Sequence, residues 1–294
     1  MNVIDFGKKL NSDTVIALGY FDAIHGGHKV LLNTAVSVAK TLNATATALI
    51  FSGGYKKGGE VFTFNERLSR IKNTGIDTVF HAVMTKEFLS VSYSDFLNEV
   101  FSSSNVKGLI CGEDFTFGKN AEGNATILQN ECDKRNVKLT VIKKQIDNLG
   151  NKISTTYVKN SLQIGDIKKV NALLYDNYFI SGEVVKGKRL GNTIGFPTAN
   201  IILPKEKTPV KTGVYKTYVI INGKKYPSIT NYGAQPTVNG VNDILETYID
   251  GVSGNLYGEI LTVYFVDYLR DITKFNSVEE LKNQLTEDKR SLYD

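Results

Sequence analysis

Residues Val15–Leu32 read VIALGYFDAIHGGHKVLL. The opening run, VIALGYF (15–21), is the continuous apolar kind that a parallel sheet buries on both faces. Past HGGH the period changes. In HKVLLNTAVSVAKTLN (28–43), Leu31, Ala35, Val38, Ala39 and Leu42 fall on one helical face. A buried strand, a glycine-bearing turn and an amphipathic helix make the first half of a βαβ unit. The turn also carries His25 and His28, two of only three histidines in the chain.

In an open α/β sheet, ligands bind beyond the C-terminal ends of the strands. With the strand ending near Phe21, Asp22–His28 lies where a nucleotide would sit. Gly26 and Gly27 permit close backbone approach, and the N-terminus of the following helix favours phosphate. Two histidines three residues apart at a helix start face the same way and can donate N–H bonds to phosphate oxygens. The alternative is a pair of surface histidines in a loop; position, glycines and spacing converge on phosphate.

The same rhythm continues to Lys144: strands ATATALIF (44–51), TVFHAVM (78–84), KGLIC (107–111) and KLTVIKK (138–144), with helices around YSDFLNEVF and ATILQNECDKR. Alternation of this kind predicts a parallel α/β sheet. TYVKNSLQIGDIKKVNALL reads as a helical connector. Beyond it the grammar changes. All five prolines lie at Pro197 or later, and YFISGEVV, GVYKTYVIING, KKYPSIT, DILETYID and EILTVYFVDYL follow one another as antiparallel strands. Asn222-Gly223 signals a type I′ hairpin. Ser277, with Glu280 three residues on, predicts a capping box opening a final helix. The fold expected is therefore α/β + β: a Rossmann-like parallel domain over 1–176, then an antiparallel β domain with a C-terminal helix over 177–294.

Composition narrows the class. The chain has 294 residues, 41% hydrophobic and 22% charged, with a formal charge of +5. That suits a globular protein handling an anionic small molecule, and the absence of a long basic run argues against nucleic acid. MNVIDFGKKLNSD lacks the apolar core of a signal peptide, and no apolar run reaches the ~18 residues of a membrane span. Cys111 and Cys132 show no metal-ligand spacing, and two lone thiols fit a reducing compartment, so the cytoplasm is the expected location.

GYFDAIHGGH resembles the G-x-F-D-x-x-H-x-G-H signature of the nucleotidyltransferase superfamily, and ISTT (Ile153–Thr156) resembles its phosphate-binding loop. CGEDFTFGKNAEGN (Cys111–Asn124) is similar to a segment of bacterial FAD synthetases. GNTIGFPTANI (Gly191–Ile201) resembles the riboflavin kinase signature, and DILETYID holds a glutamate, Glu246, that closes the site in those kinases. The resemblance spans nearly the whole chain, in order, and is to bifunctional riboflavin kinase/FAD synthetases. It implies an N-terminal domain that adenylylates FMN and a C-terminal β-barrel that phosphorylates riboflavin.

The resemblance also implies roles for individual residues. His25 and His28 act on the phosphates in adenylyl transfer, with Gly19, Phe21 and Asp22 in the same motif. Asp22 either holds the turn or contacts a metal. Ser154, Thr155 and Thr156 offer hydroxyls to the β- and γ-phosphates, and Lys159 adds charge. Asp114, Phe115, Phe117 and Asn124 belong to the flavin side; the two phenylalanines either flank the ring or one of them is core. In the kinase, Thr198 and Asn200, two apart on an extended strand, present hard oxygen ligands to Mg²⁺ held with ATP. Pro197 fixes the backbone before them. Gly187, Lys188 and Gly191 sit in a glycine- and lysine-rich flap over the phosphates, or in a simple hairpin loop. Asn231 and Arg270 are expected near the flavin, and Glu246 is expected to deprotonate its primary hydroxyl. The implied ligands are riboflavin, FMN, FAD and ATP, without nucleic acid or membrane, in a monomer or weak homo-oligomer.

Three stretches depart from the family pattern. IFSGGYKKGGEVF lacks the proline and histidine usual after the second strand, Lys159 stands where arginine is common, and so does Gln235. Two other readings are a cytidylyltransferase-like enzyme, which leaves GFPTAN unexplained, and a riboflavin kinase or flavin-binding protein with a decayed N-terminal site.

Overall fold

The computed structural model describes residues 1–53, 58–187, 194–237, 240–252 and 254–293. Two compact units divide the chain, Met1–Thr155 and Thr156–Asp294. In the first, six parallel strands run β1 (Asn2–Asp5), β4 (Thr78–Val83), β3 (Thr45–Ser52), β2 (Asp13–Leu18), β5 (Asn105–Gly112) and β8 (Lys138–Ile142) across one sheet. Two-residue strands β6 (Thr116–Phe117) and β7 (Gly123–Asn124) pair with each other outside it. The chain builds outward from β2 to β3 and β4, then returns to place β5 on the other side of β2. That reversal is a topological switch point, and the Gly19–His25 loop leaves the sheet there.

β2 is buried on both faces, as its sequence requires. Val15 and Ala17 pack into one core with Leu31, Leu32, Ala35 and Ala39 of α1 (Gly26–Thr41). Ile16 and Leu18 pack into the other with Phe96, Leu97 and Val100 of α4 (Tyr93–Ser102) and Leu128 and Cys132 of α5 (Ala125–Lys134). The strand ends at Leu18 rather than near Phe21. Phe21 adopts φ 52°, and its ring folds back so far that a Cβ on Gly19 would lie 3.0 Å from it. The apolar tail of the run is thus a core plug, not strand. β1 is not expected from the sequence; NVID is short and largely exposed, and among the described residues it pairs only with β4. Helix α2 (Phe64–Lys72) links β3 to β4, and a single turn, α3 (Lys86–Leu89), precedes α4.

The connector is two helices, α6 (Thr155–Ile164) and α7 (Ile167–Leu174), broken by Gly165 at φ 79° and restarted by an Asp166 cap. The second unit closes into a six-stranded antiparallel barrel. Its strands are β9 (Phe179–Val185), β10 (Thr198–Ile202), β11 (Gly213–Ile221), β12 (Lys224–Thr237), β13 (Gly240–Ile249) and β14 (Ile260–Arg270). Asn222 and Gly223 both take positive φ, 51° and 76°, joining Ile221 to Lys224 by the expected I′ turn. A buried chain of hydroxyls crosses three strands: Thr217 to Ser228 (2.7 Å) and Thr230 (2.9 Å), then Thr230 to Thr247 (3.0 Å). Each hydroxyl can donate once and accept from a neighbour, so burial leaves them paired.

The final helix, α8 (Val278–Arg290), begins at Ser277, whose Oγ accepts from Glu280 N–H at 3.1 Å. Only that half of the expected capping box forms. The Glu280 carboxylate instead accepts from Asn276 N–H at 2.9 Å, one residue earlier. Both cysteines are buried and free.

Candidate active sites in two units

His25 is the N-cap of α1, with extended backbone, and its Nδ1 accepts the His28 N–H at 3.4 Å. A neutral imidazole that accepts at Nδ1 carries its proton on Nε2. Burial first, opposed by Asp114 and aided by Lys152, pushes the His25 pKa down to about 4. His25 is therefore a neutral Nε2–H donor at pH 7. The His28 ring stacks on it, centroids 3.8 Å apart and 14° between planes, and meets Phe21 edge-on at 5.2 Å. Burial and the neighbouring His25 hold His28 well below the usual histidine range, and its buried Nδ1 has no hydrogen-bond partner among the described residues. Gly27 makes room for the pair, because a Cβ there would lie 3.2 Å from the His25 ring.

These shifts set a pH dependence. An unfolded histidine titrates near 6.5, whereas folded His25 does so near 4. Between those values the unfolded chain binds more protons, so stability is full above pH 6.5 and falls as pH drops towards 4. The expected slope is about 1 kcal/mol per pH unit for this histidine. Denaturant melts of the first unit from pH 7 to 4.5 measure it, and His25→Gln should flatten the curve; an unchanged curve would contradict the buried neutral imidazole.

Asp22 is buried, and its Oδ1 accepts the Val61 N–H at 2.6 Å, so it anchors the turn to the segment before α2. On the other flank Asp114 pairs with Lys152 at 2.5 Å. Ile153 N–H donates to Gln145 O, and the Gln145 side chain lies near Gly27, so the segment just before Ser154 is tied to a residue beside the histidine turn. Thr155 and Thr156 open that helix and Lys159 lies one turn on, partly exposed.

The DFTF segment resolves its own ambiguity. Phe117 is buried against Phe96, centroids 5.3 Å apart, and Phe115 stacks on it at 5.6 Å while remaining partly exposed. The two rings lie on each other, so Phe117 is core and only Phe115 offers a free face. The glycines of this segment are steric: a Cβ on Gly118 would meet the Tyr93 backbone at 2.7 Å, and one on Gly123 the Phe117 ring at 2.5 Å. Asn124 caps α5, accepting from Ile127 N–H at 3.0 Å.

In the barrel, strand register does the assembly. Glu246 of β13 lies opposite Asn200 of β10 on one side and Asn231 of β12 on the other. By strand alternation all three face away from the buried Thr230–Thr247 pair. Asn231 Nδ2 donates to Glu246 Oε2 at 3.3 Å, and the buried Asn231 Oδ1 has no hydrogen-bond partner among the described residues. The Asn200 amide is buried and donates to the Thr198 carbonyl at 3.3 Å. Gly187 touches it so closely that a Cβ there would overlap the Asn200 amide. Gly187→Ala should therefore displace Asn200 and reduce turnover at this site at least tenfold while the melting temperature changes little. Unaltered turnover would show that Asn200 can move freely. A cavity of about 480 Å³ is lined by Pro197, Thr198, Ala199, Thr247, Ile249 and Tyr257 among others; it opens on the Thr247 side of the strands and is not lined by Asn200, Asn231 or Glu246.

The family profile described as FAD synthetase matches residues 7–157, and that described as riboflavin kinase matches 174–293. A curated Bacillus subtilis protein named bifunctional riboflavin kinase/FMN adenylyltransferase is 30% identical, covering 96% of this chain and 92% of its own. The Escherichia coli K12 protein of the same name is 31% identical over 93% of this chain and 90% of its own.

The chain belongs to the bifunctional riboflavin kinase/FMN adenylyltransferase family.

A solved Streptococcus pneumoniae chain described as a macrolide-efflux protein matches 100% of this chain and 99% of its own, with a TM-score of 0.89 and 29% identity. Efflux is the description of that protein; among the described residues of this chain, no helix is long and apolar enough to cross a membrane.

Within this riboflavin kinase/FMN adenylyltransferase, several motif residues have structural employment. Phe21 is wholly buried, so the expected phosphate-side role gives way to a packing role in the core. Arg270 is held by Asp288 of α8 through Nε (2.9 Å) and Nη2 (2.6 Å), clamping the helix to the barrel. Lys188 and Gly191, in the expected flap, lie outside the described residues, as does part of the altered segment after β3. Sequence reading missed Tyr20, Glu60 and Arg67, a buried polar cluster at the switch point. A signal existed: Phe64, Arg67, Leu68 and Ile71 fall at helical spacing, which puts an arginine on an apolar face.

Proposed function

We propose that the two reactions of this bifunctional riboflavin kinase/FMN adenylyltransferase are divided between the Glu246 cluster of the barrel, which transfers the γ-phosphoryl group of ATP to riboflavin, and the His25–His28 turn, which joins AMP from a second ATP to FMN and releases pyrophosphate. The observation that carries this division is that each cluster lies in its own compact unit, and each unit carries one of the two family matches. The functional boundary is proposed near Asp176, close to the start of the kinase match at residue 174.

Adenylyl transfer to FMN needs no strong base, because the acceptor phosphate is already ionised. It needs alignment and donors aimed at charge that grows on the α-phosphate and pyrophosphate. His25 Nε2–H is such a donor, preset by its capping bond. His28, stacked on it, supplies the second. Ser154 and Thr155, at the end of the first unit, are assigned to the β- and γ-phosphates, Gly19 to the nucleotide side of the turn, and Asp22 to holding that turn. Phe115 offers a stacking face for FMN, with Asp114 and Asn124 at its edges.

In the kinase the acceptor is a hydroxyl, so a base matters. Glu246 takes the proton from the primary alcohol of riboflavin as its oxygen attacks the γ-phosphorus, and Asn231 orients the carboxylate. Both reactions use ATP with a divalent metal, proposed to be Mg²⁺. Among the described residues no group of three or more His, Cys, Asp or Glu could hold a metal. The donors in the kinase site are the Thr198 hydroxyl and the Asn200 amide oxygen, neutral and hard, which fits a cation carried mainly by phosphates and water. When bound, the metal supplies charge neutralisation on the transferred group. Gly187, Lys188, Gly191 and Pro197 are assigned to the ATP phosphates and Arg270 to the flavin side. A cytoplasmic monomer or weak homo-oligomer that binds neither nucleic acid nor membrane completes the reading.

Incubating the purified chain with riboflavin, ATP and Mg²⁺, then separating the flavins, tests it. FAD is the expected end product, with FMN appearing first. FMN alone would mean an inactive N-terminal site, and unchanged riboflavin would overturn the kinase assignment.

A further inference from the structure

We infer that Arg67 is a positioning residue for adenylyl transfer, the centre of a buried brace with Glu60 and Tyr20 that fixes the histidine turn at the sheet's switch point. The inference rests on the assignment of His25 and His28 to that reaction. Arg67, on α2, is 0% exposed and Glu60 is 3% exposed. One guanidinium nitrogen, Nη1, donates to the Phe51 carbonyl in β3 at 2.6 Å and to the Tyr20 carbonyl just past β2 at 3.1 Å. The other, Nη2, pairs with Glu60 Oε2 at 3.1 Å. The Tyr20 hydroxyl donates to Glu60 Oε1 at 3.1 Å, and the next residue, Phe21, takes the left-handed φ that starts the turn. Val61, beside Glu60, donates its N–H to Asp22. Residues 60–61 are thus tied to residues 20–22 at two points, and Arg67 joins both to the end of β3.

The geometry is one that only a planar fork satisfies. Two carbonyls and a carboxylate are met by one side chain, which an ammonium on a flexible stem cannot do in the same arrangement. A buried ion pair is a poor route to net stability, because desolvation offsets the attraction and an apolar replacement is often as stable. Its place here, on the two strand ends beside the nucleotide turn, gives it another use: it fixes the backbone from which His25 and His28 project. A displacement of about 1 Å at reacting groups can cost on the order of 10²-fold in rate.

Three variants separate this from a purely structural role. Arg67→Lys keeps the charge opposite Glu60 but loses the fork. The double variant Arg67→Met with Glu60→Gln removes both charges together and leaves no unpaired ion. His28→Ala is the control for the underlying assignment. In both brace variants kcat for FMN adenylylation should fall at least tenfold, with KM for ATP changed less than threefold and riboflavin kinase turnover in the same chain unchanged. The His25 ring signals, followed by NMR, should titrate closer to 6.5 than in the parent as the turn loosens. Parent-like kcat with parent-like His25 titration in either folded variant would overturn the inference. So would loss of the first unit's fold in both, since the brace would then hold the unit and not the turn. Persistent FAD synthesis by His28→Ala would instead overturn the reading beneath it.

Discussion

The Glu246→Gln variant is expected to lose riboflavin phosphorylation by about 10²–10⁴-fold, the usual contribution of a general base, while still converting supplied FMN into FAD. Glutamine preserves size and can accept the Asn231 Nδ2–H bond through its amide oxygen, so the row formed with Asn200 and Asn231 should persist. It cannot take the proton of the attacking hydroxyl. Riboflavin affinity should change little, because the ring would be held elsewhere. The hydroxyl chain from Thr217 to Thr247 faces away from position 246, so the barrel's buried polar bonding is untouched and the melting temperature should hold. Steady-state assays with riboflavin and, separately, with FMN give both rates from one preparation. Parallel loss of both activities would indicate misfolding, and a retained kinase rate would remove Glu246 from the mechanism.

The converse variant, His28→Ala, is expected to accumulate FMN from riboflavin and ATP. Removing one donor to a developing oxyanion typically costs about 10²–10³-fold. The substitution also removes the ring stacked at 3.8 Å on His25 and the edge contact to Phe21, so the turn loses packing as well as a donor. The His25 cap itself survives, since it uses the backbone N–H of residue 28. The helix should therefore still form, and the defect should appear in the rate of FAD formation and not in the circular dichroism spectrum. FAD formed at the parental rate would refute the assignment of the turn.

What can be read from the sequence is whatever a local pattern determines. β2 announces itself because Val15, Ala17 and Ile16, Leu18 feed two cores, leaving no polar face. Asn222-Gly223 announces its turn because few other pairs take positive φ twice in succession. The proposed site residues Thr198, Asn200 and Glu246 are legible through motifs, and strand alternation places the first two on one face. The row that Glu246 forms with Asn200 and Asn231 is not, because cross-strand register depends on the whole barrel closing. β1 is invisible for a similar reason: NVID has no pattern of its own and becomes a strand only where β4 offers an edge. The end of β2 is misjudged because an apolar residue can fill a core without extending a strand, as Phe21 does. Arg67 escapes notice because burial of a guanidinium requires partners from three separate segments, none adjacent to it in sequence.

Barrel closure carries a consequence for how the chain behaves when partly unfolded. With β9 bonded to both β10 and β14, the barrel strands among the described residues leave no unpaired border on which another chain could add. The six-stranded sheet of the first unit has two such borders, β1 and β8. β1 is only four residues long, and β8 begins at Lys138 and is followed by Lys143 and Lys144, charges that disfavour edge-to-edge growth. During refolding from denaturant at high protein concentration, intermolecular association should therefore start at the parallel sheet, and replacing Lys138, Lys143 and Lys144 with threonine should raise the aggregated fraction.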